Sequence, residues 1–149
     1  MQPVTMTEPN IASIAPYTSV GPYRFEATPT ECAAVVGPPE RSREKRALGR
    51  TYEQRGLVEA VYEGGVLVQV EYRDGAQVEL EGLDLFGDPK ALEKLRLAHT
   101  DATEQKQFVN FPALGVCLGG FGKRRLPEGR LAIVYARSKA KYMTLLGSV

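Results

Sequence analysis

The sequence predicts an α+β fold, with two short helices packed on an antiparallel sheet, and three observations carry that prediction. Helix-start signals stand at Thr28-Pro29 and Asp88-Pro89, apolar and polar residues alternate through Val66 to Tyr72 and Ala76 to Glu81, and glycine-bearing turns separate the alternating runs. A chain of 149 residues, 43% apolar and 25% charged, can bury the core of one ordinary domain.

Residues 1–16, with Pro3, Pro9 and Pro16 and little periodicity, read as an extended or loosely ordered leader, and residues 17–149 as a single domain. VGPYRF supplies a short strand or extended lead-in. The first helix lies in TPTECAAVVGPP: Thr28 caps, Pro29 takes the first helical position, Glu31 completes a capping box, and Gly37-Pro38-Pro39 stops it. Cys32, Val35 and Val36 form its apolar face, and so short a helix needs a sheet to dock on. RSREKRALGR, residues 41–50, holds five basic residues and one acid. It reads as a phosphate-binding patch or a solvated loop, and the absence of an interleaved aromatic residue favours the loop.

The runs Tyr52 to Tyr62, Val66 to Tyr72 and Ala76 to Glu81 predict an antiparallel meander with turns at Glu63-Gly64-Gly65 and Arg73-Asp74-Gly75. In its middle strand Val66, Val68, Val70 and Tyr72 are expected on one face, and Leu67, Gln69 and Glu71 on a wetter one. A second helix is expected where Asp88 caps, Pro89 starts, and Ala91, Leu92, Leu95, Ala98 and His99 recur at helical spacing. Beyond the polar TDATEQKQ, the runs FVNF, ALGVCLGGF, RLAIVYA and KYMTLLG predict further short strands. The two helix starts are sixty positions apart and each precedes an antiparallel set. This suggests two helix-plus-meander halves, 17–87 and 88–149.

Charge and motifs narrow the functional classes. Lys and Arg total 19 against 18 for Asp and Glu, so no bulk field favours nucleic acid or anionic lipid. Cys32 and Cys117 sit in apolar surroundings at a spacing unlike zinc or redox motifs, and buried reduced thiols are expected. The N-terminal stretch lacks a basic region followed by an apolar run, and no segment approaches the ~20 apolar residues needed to cross a bilayer, so a soluble cytoplasmic protein is expected.

The glycine-rich GVCLGGFGKRR, Gly115 to Arg125, invites comparison with a phosphate loop. At the spacing such a loop requires, however, Gly122-Lys123 is preceded by Cys117 and followed by Arg124, and the chain continues into a strand pattern instead of a helix. The stretch is read as a buried strand leading into a basic hairpin loop. His99, the only histidine, is expected to meet the last carbonyls of the second helix, and a catalytic reading would need it to converge with a cysteine, as in a Cys117–His99 nucleophile pair, or with a carboxylate. Glu59, Glu71, Glu79 and Glu81 read as a solvated strand face. The pattern contains no metal-ligand cluster and calls for no cofactor.

A binding surface remains. Tyrosine and arginine are the residues from which interface anchors are made, and Tyr62, Tyr72, Lys123, Arg124, Arg125 and Arg137 are the candidates for partner contact.

RFEATPTECAAVVGPP resembles a recurring bacterial pattern: an aromatic residue, a Thr-initiated short helix, then Leu/Val-Gly-x-Pro before strands. The BamE-like (SmpA/OmlA) outer-membrane assembly lipoproteins carry it, as do many small proteins encoded beside secreted toxins. Here Glu26-Ala27 stand where the lipoproteins have Gly-Met, and no lipobox cysteine precedes the motif. DLFGDPKALEKL followed by FVNFPALGVCLGGF is similar in style to toxin-immunity proteins. The resemblance implies a non-enzymatic immunity protein that binds a cognate toxin and covers its active site, with no assigned site residues. The alternative is a small-ligand or nucleotide-binding domain using the basic stretches Arg41–Arg50 and Lys123–Arg125.

Overall fold

The first helix start acts as the sequence suggests, whereas the second helix begins at Ala91, past Pro89, and Asp88 is not its cap. In a computed structural model that describes residues 11–143, the Thr28 hydroxyl accepts from the Glu31 N–H at 3.1 Å, and the Glu31 carboxylate accepts from the Thr28 N–H at 2.9 Å. The reciprocal cap opens helix α1, Pro29–Val36, which Gly37 ends at φ +84°. Only Cys32 of α1 is buried; Val35 is 65% exposed, so the apolar face is narrower than its sequence implies. Helix α2 spans Ala91–Ala98. Asp88 works one turn ahead of it, accepting from the Lys90 N–H and the Lys94 ammonium, each at 2.8 Å. Ala91 and Leu95 are the buried residues of α2, while Ala98 is exposed.

Around the helices lie two sheets, so strand dominates this α+β fold more than the sequence reading implies. Three short strands precede α1: β1 (Ala12–Ala15), β2 (Ser19–Val20) and β3 (Tyr23–Arg24). Four follow it: β4 (Arg41–Lys45), β5 (Arg50–Arg55), β6 (Val58–Glu63) and β7 (Val66–Arg73). The chain then repeats the order with β8 (Val78–Leu80) and β9 (Leu83–Asp84), α2, and β10 (Thr103–Gln105), β11 (Phe108–Phe111), β12 (Val116–Gly119) and β13 (Leu131–Tyr135). The large sheet runs β10-β11-β12-β13-β7-β6-β5-β4, all antiparallel, and the two four-stranded sets join where β13 pairs with β7. The small sheet runs β3-β2-β1-β8-β9, with β1 antiparallel to β2 but parallel to β8.

Several expectations are corrected. Ala12–Ala15, inside the expected leader, form a strand, because a partner more than sixty residues away in sequence supplies the pairing that local pattern does not show; residues 1–10 lie outside the described residues. Arg41–Lys45 form an edge strand, not a loop. All five of these residues are exposed, so the segment lacks the alternation by which a half-buried strand is recognised. Arg73-Asp74-Gly75 makes no hairpin, since β8 crosses to the small sheet. Polar TDATEQKQ contains β10. Of KYMTLLG, residues 141–143 are helical and the remainder lies outside the described residues.

The register explains one further correction. Tyr62 opposes Leu67 and Val61 opposes Gln69, which leaves Val68 as the extra residue of a β-bulge. One inserted residue reverses the side-chain parity. Leu67 therefore joins Val70 and Tyr72 in the main core, while Val68 packs with Val61 and Ala136 on the other side.

The main core lies between the inner face of the large sheet and a layer made of the small sheet and both helices. Ala60, Val70, Val134, Val116 and Phe111 follow one another across the sheet in register and meet Val20, Tyr23 and Leu80 from the small sheet and Cys32 and Leu95 from the helices. On the outer face, Cys117, Ile133 and Tyr135 are roofed by Tyr17, Ala140 and Met143. Val116, Cys117 and Leu118 are buried, so GVCLGG is a core strand that opens into a bent, partly exposed connection to β13. Both cysteines are free and buried.

Candidate functional site

The outer face changes character from one end to the other. Near β13 it is covered, whereas toward β4 its cross-strand rows become polar. One row runs Arg41–Gln54–Glu59–Glu71–Ile133, and the next Arg43–Tyr52–Val61–Gln69–Tyr135. Directly opposed side chains of an antiparallel pair lie about 5 Å apart, so each row is a line of contacts. At the β4 end, Arg41, Ser42, Arg43, Tyr52, Gln54 and Glu59 line a hollow of about 340 Å³.

Tyr52 is the centre of this end. The Arg43 guanidinium lies 4.2 Å from its ring centroid and the Lys45 ammonium 5.7 Å away, and Arg43 also reaches the Glu59 carboxylate at 3.6 Å. An exposed cation over an aromatic face contributes about 0.5–1 kcal/mol, enough to favour one Arg43 rotamer. Glu59 faces Glu71 across β6 and β7. Burial pushes the Glu71 carboxyl above its ordinary range and the Glu59 charge adds to this, while Arg73 and Arg43 pull the other way. The face thus alternates cation, ring and carboxylate on rigid strands.

The expected anchors divide. Tyr62 and Tyr72 are 1% and 2% exposed and belong to the main core, so neither ring is available to a partner in the folded chain. Residue type made them candidates, but both fall on the inner face. The Tyr62 hydroxyl donates to Glu53 at 3.3 Å, and Arg55, which reaches the same carboxylate oxygen at 3.2 Å, also donates to the Gly37 carbonyl at 3.0 Å. This buried cluster holds the end of α1 to β5. Lys123, Arg124 and Arg125 are exposed on the connection between β12 and β13. Arg137 is exposed, with its guanidinium 4.1 Å from the Tyr17 ring centroid.

The two basic stretches do not converge. β13, which follows Lys123–Arg125, lies four places from β4 in the large sheet, about 19 Å at the usual strand spacing. The Cys117–His99 pair does not assemble either: Cys117 points to the outer face, whereas His99 sits edge-on to Phe111 of the inner face, with Nε2 2.7 Å from the Glu81 carboxylate. Burial pushes the Cys117 thiol up to about 12, far from a nucleophile's working range. Among the described residues, no group of three or more His, Cys, Asp or Glu side chains could hold a metal ion, and no helix is long and apolar enough to cross a membrane.

Tyr52 and Arg43 are the pair that sequence reading missed. A signal for them was present: Gly49, at φ +63°, closes a tight connection that folds RSREK back on RTYEQ and sets Arg43 opposite Tyr52. The aromatic residue absent from the basic run itself is supplied by the neighbouring strand. No protein-family model matches the chain, and neither curated proteins nor solved structures yield a similar one.

Proposed function

We propose that this chain is a non-enzymatic binding protein, and specifically a cytoplasmic immunity protein that neutralises a bacterial toxin by covering its active site. The observation that carries the reading is the β4 end of the large sheet, where exposed cations flank Tyr52 on a rigid, hydrogen-bonded frame. Arginine and tyrosine held on regular strands lose little freedom when a partner docks, which is the property of an occluding surface. Arg137 over Tyr17 and the exposed Lys123–Arg125 tip lie elsewhere on the molecule and supply further cationic contacts.

The test is co-production with the polypeptide encoded beside this gene. That polypeptide alone should arrest growth, and this chain should restore it and co-purify with it in a fixed ratio. A neighbour that is harmless, or toxic and indifferent to this chain, refutes the immunity reading.

A further inference from the structure

The geometry points to the outer edge of β4 as the seat of a partner strand: an extended, acidic segment of the bound protein continues the large sheet there by antiparallel addition. This rests on the reading that the chain acts by binding a protein. β4 is the last strand of its sheet, and among the described residues no strand pairs with its outer side. Alternate backbone N–H and C=O groups of such a strand face outward, a template for another chain. The opposite edge of the sheet differs. β10 has only three residues, and Arg96 of α2 holds its Glu104 at 2.5 Å.

Charge selects the occupant. Arg41, Arg43 and Lys45 alternate with Ser42 and Glu44, so the three cations share the outer face. Arg43 is held by Tyr52 and Glu59, while Arg41 and Lys45 make no ion pair among the described residues. A second copy pairing antiparallel about Arg43 would set Arg43 against Arg43 and Arg41 against Lys45, like charges directly opposed at every outer-face position of the strand. A glutamate- or aspartate-bearing strand converts each of those oppositions into an ion pair. The charges that keep β4 from pairing with itself therefore admit an acidic partner, with affinity from the backbone and selection from the side chains.

The experiment titrates the full chain with a short capped peptide alternating glutamate and threonine, followed by amide shifts and amide hydrogen exchange. Saturable shifts and slowed exchange centred on residues 41–45 are expected. Charge reversal by Arg41→Glu with Lys45→Glu should weaken binding at least about tenfold while circular dichroism and thermal midpoint stay unchanged. Methylating alternate peptide nitrogens, which keeps the charge and removes donors, should abolish binding. Equal binding by the methylated peptide, reproduction of the shifts by inorganic phosphate, insensitivity to charge reversal, or no response at β4 at millimolar peptide each overturns strand addition. The same exchange measurement on the complex with a neutralised toxin separates this idea from the immunity reading. Neutralisation with β4 exchange unchanged refutes strand addition alone, whereas peptide addition to β4 with no neutralised neighbour refutes the immunity reading alone.

Discussion

Lys139 Nζ lies 2.9 Å from Glu63 Oε2, and the contact ties the segment after β13 to the far end of β6. Arg50 Nε reaches the same oxygen at 2.6 Å from the facing position on β5. One carboxylate thus holds two cations, and Lys139 is itself 8% exposed. Burial alone would raise the Glu63 carboxyl, but the hydrogen bonds and charges of Lys139 and Arg50 hold it below its ordinary value. A depressed carboxyl stabilises the fold above its ordinary value of 4.5, and that contribution disappears as the pH falls through the lowered folded value. Glu63→Gln should cost about 2 kcal/mol at neutral pH in urea unfolding, because it leaves a buried ammonium without its counter-charge, and should flatten the acid limb of stability.

Glu71 carries the opposite sign. Its carboxyl is raised, first by burial and then by Glu59, so its contribution is full below the ordinary carboxyl value and is lost as the pH rises through the folded one. Glu71→Gln should raise the thermal midpoint at neutral pH and have little effect in acid. A lowered midpoint at neutral pH would show that the Arg73 and Arg43 attractions outweigh burial.

Gly115 and Gly49 separate steric from conformational cost. Both have positive φ, +67° and +63°, but a Cβ on Gly115 would meet the Tyr17 ring at 2.9 Å and the Tyr135 carbonyl oxygen at 3.1 Å, whereas one on Gly49 meets nothing within 4 Å. Gly49→Ala should cost about 1 kcal/mol. Gly115→Ala should cost about 2–4 kcal/mol and loosen the roof over Cys117, read as faster exchange of the β12 amides.

Cys32 and Cys117, each 4% exposed, should resist thiol reagents in the native chain and react fully in urea. Burial holds the Cys117 thiol at about 12, so less than about one part in ten thousand is thiolate at neutral pH. Rapid native labelling of Cys117 would mean that its roof of Tyr17, Ala140 and Met143 opens readily.

Tyr62→Ala should cost about 3–5 kcal/mol of stability and Tyr52→Ala less than about 1 kcal/mol, while partner binding should follow the reverse order. Unfolding curves and affinity measured on the same two variants decide whether the anchor lies in the core or on the outer face.

What was legible in the sequence was local. The Thr28–Glu31 capping box and the β6–β7 turn at Gly64-Gly65 are complete within a few residues, and each forms as written. β1 and β4 were missed for different reasons. β1 acquires its identity from β8, far along the chain, and β4 is wet on both faces, so no hydrophobic pattern marks it. The Val68 bulge shows the limit of periodicity most directly, since one extra residue turned the two faces of β7 over partway along the strand. The binding surface was obscured in the same way: Tyr52 and Arg43 form one feature only after the hairpin closes.

The pairing of β7 with β13 has a consequence for how the chain is made. Synthesis delivers β4 to β7 first, and the long, largely apolar side of β7 must then wait until residues 131–135 have emerged. The strand at the middle of the finished sheet is the open rim of the half-made one, available to other nascent chains at the stage when such contacts do most harm. Mutations that slow or weaken β13 should therefore act on yield before they act on stability, appearing as insoluble product from a chain whose completed form is sound.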